Sequence, residues 1–324
     1  MHAPYLQLFV SMTNTNLHNL PPRYILGAIL LLLALAHHVS ALSNLNRIES
    51  MLLSSRLANI ERAVETEFQS TVGPQIFRAD ADGEASCPAK DTRPIVTIIF
   101  PGAGGRDALS DELEDVLRRS QSASDDAFVT TFDWQENRGT VLTAAYDSEA
   151  VGETVARCLW DNPSSRNAGS IRSVHCVGIS VGAFAANAMA REICQRREPA
   201  QGEDGPNPYV RLTLLAPFTS RGITGSSYGP DNFGRTADYA VQYMTNADPV
   251  PTTDALLPHC IRHDITSTRK RDGFVLPKGE SEHCWPLAYY ARHGVHEEKA
   301  RFGSALVRHG DGVGLDRGTV VMVE

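Results

Sequence analysis

The feature that most constrains this chain is a β-like run that breaks into a short turn and restarts as a helix. Ser173 to Val177 (SVHCV) leads directly into Gly178-Ile179-Ser180-Val181-Gly182, and AFAANAMAREICQ follows, rich in alanine and free of proline. In a GxSxG turn this tight, side chains at the two glycine positions would collide with the adjoining strand and helix, and the backbone of the central residue is strained. Ser180 would then stand free at the end of a strand. The competing reading is a structural turn in which a buried serine caps the helix.

Around this turn the pattern is alternating. Ile95 to Phe100 (IVTIIF) is a nearly unbroken apolar run bounded by Pro94 and Pro101, as expected of a strand buried on both faces of a parallel sheet. Phe128 to Phe132, Val210 to Leu215, Tyr239 to Met244 and Cys260 to Ile265 are similar in character. Asp107 to Arg119, Ser148 to Trp160 and Val181 to Arg196 read as helices between them. Strands alternating with helices predict an α/β fold, a mostly parallel central sheet with helices on both faces, whose chemistry sits at the carboxyl ends of the strands. This catalytic domain is expected over 95–324. Residues 71–94 read as a linker with an edge element near Ile76 and Phe77, and Thr219 to Thr236 as a surface loop that either covers a site or simply connects strands.

A serine hydroxyl needs a base to take its proton, so Ser180 means little alone. With an elbow of this kind the acid precedes the histidine, each on a loop after a later strand. Asp248, in Asn246-Ala247-Asp248-Pro249-Val250-Pro251, follows the YAVQYM run, with Asp264 and Asp254 as competitors. His283, in Glu280-Ser281-Glu282-His283-Cys284-Trp285-Pro286, fits the order best among eleven histidines. Solvated turn or loop residues are the plain alternatives for both. Acyl transfer also needs N–H donors for a developing oxyanion. Val181 N–H would supply one; the loop Pro101-Gly102-Ala103-Gly104-Gly105, after the IVTIIF strand, would supply others from Ala103 and Gly104. That loop departs from both the GxGxxG and the Walker phosphate patterns. His259 and His263 stand four residues apart in a β-like stretch without a third ligand, which argues against a metal.

The amino-terminal region has a different character. Tyr24 to Ala36 (YILGAILLLLALA) is apolar throughout, is preceded by Arg23 and is followed by Val39-Ser40-Ala41, the layout of a secretory signal over residues 1–41. The favoured expectation is entry to the secretory pathway with cleavage near Ala41. An uncleaved anchor over 24–42, associating with the membrane, is the alternative; Leu53, Leu57, Ile60 and Val64 would then mark an amphipathic stalk within 42–70. The six cysteines all lie beyond the apolar run, and their even number suits an oxidising compartment. Cys176 reads as plain core, whereas Cys260 and Cys284 flank the Asp-to-His stretch and could staple it. The 38 acidic and 30 basic residues are scattered without a basic face, so nucleic acid is not expected as a partner.

Taken together, FPGAGG, GISVG, NADPVP and EHCWP resemble, in this order, the α/β-hydrolase superfamily over Ile95 to His293. The aspartate in DPVP and the small sheet are similar to class 3 lipases and minimal esterases. That resemblance implies Ser180, Asp248 and His283 as a catalytic triad cleaving small-molecule or lipid esters, with no cofactor. The chain departs from those lipases in carrying Ile179 and Val181 where they usually have histidine and leucine. Acyl transfer to an acceptor other than water would use the same triad, and a non-catalytic binding protein on the same scaffold belongs to a different class.

Overall fold

In a computed structural model the chain is described over residues 54–76, 94–121, 127–140, 143–161, 171–197, 207–222, 225–303, 306–311 and 314–324. It divides into two compact units, Met1–Arg56 and Leu57–Glu324, and the fold below is that of the second. The apolar run at 24–42, Cys87 and Phe77 lie outside the described residues. No described helix is long and apolar enough to cross a membrane.

Seven strands form one sheet in the order β2-β1-β3-β4-β5-β6-β7. They are β1 (Ile95–Phe100), β2 (Ala127–Thr131), β3 (Ser173–Ile179), β4 (Tyr209–Leu215), β5 (Tyr239–Met244), β6 (Ile261–Asp264) and β7 (Val320–Met322). Every neighbouring pair is parallel. The predicted α/β class and six of the strands are therefore present, with ends that differ by a residue or two. Parallel neighbours need long crossovers, and the helices α1 (Ala108–Gln121), α2 (Ala144–Asp161) and α3 (Gly182–Arg196) fill them. Two apolar clusters result, one on each face of the sheet. Val96, Ile98, Val174 and Leu212 face α2 and α3, while Ile99, Val177, Val241 and Ile261 face α1 and the carboxyl-terminal helices. The helices on that second face are α5 (Trp285–Tyr289) and α6 (Val295–Phe302), after the short α4 (Tyr228–Asn232).

Four features differ from the sequence expectation. Residues 57–67 are helical and continue through the π-turn Phe68–Val72 into a helical turn, Gly73–Ile76, where an edge element was expected. The apolar stripe expected on a stalk, Ile60 and Val64, runs on to Phe68 and Val72 and joins the cluster that includes Val155 and Leu159. Burying four such side chains contributes at most about 1.5–3 kcal/mol each, which ties this helix to the sheet's helical layer. The stretch 219–236 is not a simple surface loop: α4 interrupts it, and Phe233, fully buried, meets the Phe184 ring edge-on at 5.0 Å. A Gly- and Ser-rich composition hid this aromatic anchor. Lastly, Cys260 and Cys284 are both free thiols, so the expected staple is absent. They belong to apolar clusters on opposite faces of the sheet. Cys176 is fully buried core, as its setting in β3 predicts.

Candidate active site

The chain leaves β1 for β2 on one side and returns to β3 on the other, so the strand order reverses at β1. A crevice opens at such a reversal beyond the carboxyl ends of the two strands. The Gly-rich loop after β1 and the turn after β3 both lie there.

At the turn, Ser180 has φ of 53°, left-handed for a non-glycine residue. Its N–H donates to Leu215 O at 3.0 Å, and its carbonyl accepts from Ala183 N at 3.1 Å and Phe218 N at 3.1 Å. Both flanking glycines are sterically required. A Cβ on Gly178 would lie 2.6 Å from Ala183 Cα, and one on Gly182 would lie 2.3 Å from Phe100 O. The β1 loop crosses directly over the serine, since a Cβ on Gly102 would come within 3.2 Å of Ser180 Cβ. Gly102 is thus the loop residue closest to Ser180 among the glycines there, whereas Ala103 and Gly104 are exposed on the turn beyond it. The loop is fixed by Gly105 N donating to Gly102 O at 3.1 Å, and by the buried Trp134, whose Nε1 donates to Pro101 O at 2.9 Å. Val181, the other predicted oxyanion donor, is buried immediately after the serine, at the start of α3.

Asp248 follows β5 on a turn in which Val250 N donates to Asp248 Oδ1 at 2.8 Å. The side chain is 1% exposed, and Asp248 Oδ2 lies 2.7 Å from His283 Nδ1. Burial pushes the carboxyl up, but hydrogen bonds from His283, Val250 and Thr253, with the charge of His283, hold it below the usual carboxylate range. His283 sits in the short turn Glu282–Cys284, capped by Ser281 Oγ, which accepts from His283 N at 3.3 Å. Arg271 stacks over Trp285 at 4.8 Å and pairs with Glu282, bracing that turn. No hydrogen bond joins the Ser180 hydroxyl to His283 among the described residues; catalytic hydrogen bonds commonly tighten only when substrate is bound.

The competing carboxylates stand elsewhere. Asp264 ends β6, 5% exposed, and Asp264 Oδ1 accepts from Thr266 N at 3.1 Å and Thr266 Oγ1 at 2.6 Å. Asp254 is exposed. His263 stacks on Tyr243 at 4.6 Å, so its ring is used in packing. Among the described residues there is no group of three His, Cys, Asp or Glu able to hold a metal.

Sequence reasoning missed the bracket that links the serine's turn to the aspartate's. Thr219 N and Oγ1 donate to Thr252 Oγ1 and O at 3.3 and 3.0 Å. Phe218, the residue before Thr219, bonds the Ser180 carbonyl, and Thr252 lies four residues beyond Asp248 with φ of 70°. A positive φ at threonine, or at Ala216 (φ 45°), leaves no mark in a sequence, where glycine or asparagine is the usual signal.

No protein-family model matches the sequence, and no curated protein does. Among solved structures, RedJ with a PEG molecule bound in the active site is similar over 70% of this chain and 99% of that chain, at 15% identity and a TM-score of 0.32. A likeness this distant does not bear on the chemistry.

Proposed function

We propose that this chain is a serine hydrolase of the α/β-hydrolase type, cleaving small-molecule or lipid carboxylic esters through an acyl-enzyme. The observation that carries the reading is the 2.7 Å contact between His283 Nδ1 and the buried Asp248 carboxylate. The two residues come from loops after β5 and β6, on the same edge of the sheet as the strained Ser180. A solvated turn aspartate and a surface histidine would have no reason to be sequestered together.

In this reading Ser180 Oγ attacks the ester carbonyl while its proton passes to His283 Nε2. Asp248 holds the imidazole in the tautomer that leaves Nε2 free to accept, and stabilises the imidazolium. The carbonyl oxygen, now negative, is met by backbone N–H groups of Val181 and of the Ala103 and Gly104 turn. Each such donor contributes about 3 kcal/mol in comparable sites. Collapse of the intermediate expels the alcohol, which takes the proton from His283, and water repeats the sequence on the acyl-enzyme. No cofactor enters.

The test is fluorophosphonate labelling of the purified chain, with hydrolysis of p-nitrophenyl esters of graded acyl length. Labelling at Ser180 and turnover that Ser180→Ala abolishes, with an unchanged circular-dichroism spectrum, are expected. Undiminished esterase activity in that variant would remove the reading. Entry to the secretory pathway with cleavage near Ala41 is proposed separately, and amino-terminal sequencing of chain recovered from a secretory host decides it.

A further inference from the structure

At the amino ends of the strands, opposite Ser180, a cavity of about 360 Å³ opens between the sheet and α6, with Leu306 and Val307 at its border. Its floor is anomalous. Strands buried on both faces of a parallel sheet are ordinarily apolar at every position, yet here His175 on β3, Arg211 on β4 and Tyr239 on β5 stand side by side in register. All three line the cavity. Polar groups at such a depth cost free energy unless they are paired. His175 Nε2 is engaged by Thr213 Oγ1 at 2.8 Å, and the Arg211 guanidinium pairs with Glu298. The carboxylate of Glu298 is further occupied by Tyr243 OH at 3.1 Å and Tyr290 OH at 3.0 Å.

The walls have the opposite character, with Leu117, Val295, Phe302 and Val307 all apolar. Among the described residues, the charged ones at the cavity are Arg172, Arg211 and Lys299 against Glu298, an excess of positive charge. Apolar walls with a few convergent polar groups characterise small-molecule sites, and this volume falls at the lower end of their range of about 300–1,000 Å³. A guanidinium at one end favours a carboxylate, which it meets with two parallel hydrogen bonds.

We propose that this cavity is a second binding site, separate from the Ser180 crevice, for a medium-chain carboxylate whose hydrocarbon tail lies along the apolar walls and whose head group faces Arg211. Occupancy does not depend on Ser180 being a nucleophile, so this site and the esterase reading stand or fall independently.

The test is calorimetric titration of sodium octanoate into the full chain carrying Ser180→Ala, alongside octanol as the uncharged control. Saturable binding at one site is expected, with octanol at least roughly tenfold weaker. Leu306→Trp, at a rim position that is 40% exposed, narrows the mouth without touching the core. Arg211→Lys keeps the charge opposite Glu298 but loses the planar fork. Each should weaken octanoate binding about tenfold; melting temperatures report that the variants are folded, and Leu306→Trp serves alone if Arg211→Lys is not. Absence of saturable binding, equal affinity for octanol, or binding that folded Leu306→Trp leaves unchanged would each overturn the proposal.

Discussion

Ser180 occupies a conformation that a non-glycine residue reaches at a cost of about 1–3 kcal/mol, and it does so at the end of a strand buried up to its last residue, where surrounding packing can hold it. Asp248 is equally over-determined: its two oxygens are committed to Val250 N and His283 Nδ1. Asp264, by contrast, spends Oδ1 on its own turn through Thr266. The two acids should therefore separate cleanly. Asp248→Asn is expected to lower kcat on p-nitrophenyl esters by about 10⁴, because the amide favours the wrong imidazole tautomer, while Asp264→Asn changes it far less. The reverse ranking, measured on variants of matched melting temperature, would move the acid to Asp264. The positions of Ser180, Asp248 and His283 were legible because glycines, prolines and chain order each leave a local mark. Trp134, Thr219 and Thr252 were not legible. Their roles come from hydrogen bonds to residues about thirty positions away, and nothing in their neighbours announces those bonds.

At the scale of elements, the elbow is positioned by two helices that pack almost backbone to backbone. A Cβ on Gly152 of α2 would lie 2.0 Å from Ala185 O of α3, and Ser148 Oγ of α2 donates to Val181 O at 3.0 Å while accepting from Ala185 N at 3.1 Å. Space at this crossing cannot be made by turning a side chain, since the atoms met are backbone. Gly152→Ala is thus expected to destabilise the fold by about 1–3 kcal/mol despite its gain in helix propensity. Urea denaturation with an unchanged m-value reads that loss, and a variant as stable as the parent would show that the helices are not held this close. The sequence predicts α2 as a helix from Ser148, and nothing in that pattern singles out Gly152; only the crossing explains it. β7 escaped for another reason. Its residues Val320–Met322 are too few to show a period, and two of the three side chains are exposed, so the strand exists only because β6 offers it an edge.

The whole molecule carries a net charge of -8, and its response to acid is expected to reflect two histidines, His175, which is buried, and His263, which is half-buried. Burial lowers His263 to about 4, with the Glu297 charge opposing and Arg301 adding to the shift. Burial, with Arg211 nearby, also places His175 well below its ordinary value. Both rings are neutral in the folded chain near neutral pH, and on unfolding each regains a pKa near 6.5. As pH falls through 6.5 the unfolded state takes up protons that the folded state refuses, so stability is lost on acidification, for His263 down to about pH 4. The Asp248 contribution has a lower window. Its folded pKa is depressed, so that contribution is intact above the ordinary value of 3.8 and fades only as pH falls below it. Acid unfolding should therefore begin with the histidines. At about pH 4.5 the loss of stability from His263 reaches at most about 2.5 kcal/mol relative to neutral pH, since the ring keeps some solvent contact. His263→Phe retains a flat ring against Tyr243 and has no proton to bind. The loss of unfolding free energy between about pH 7.5 and about pH 4.5 should shrink by up to about 2.5 kcal/mol in this variant, with ester hydrolysis at neutral pH unchanged. An acid profile identical to the parent's would mean that His263 takes up its proton as readily in the folded chain as in the unfolded one, and below about pH 6.5 its stack on Tyr243 would then have to be read as a cation over a ring.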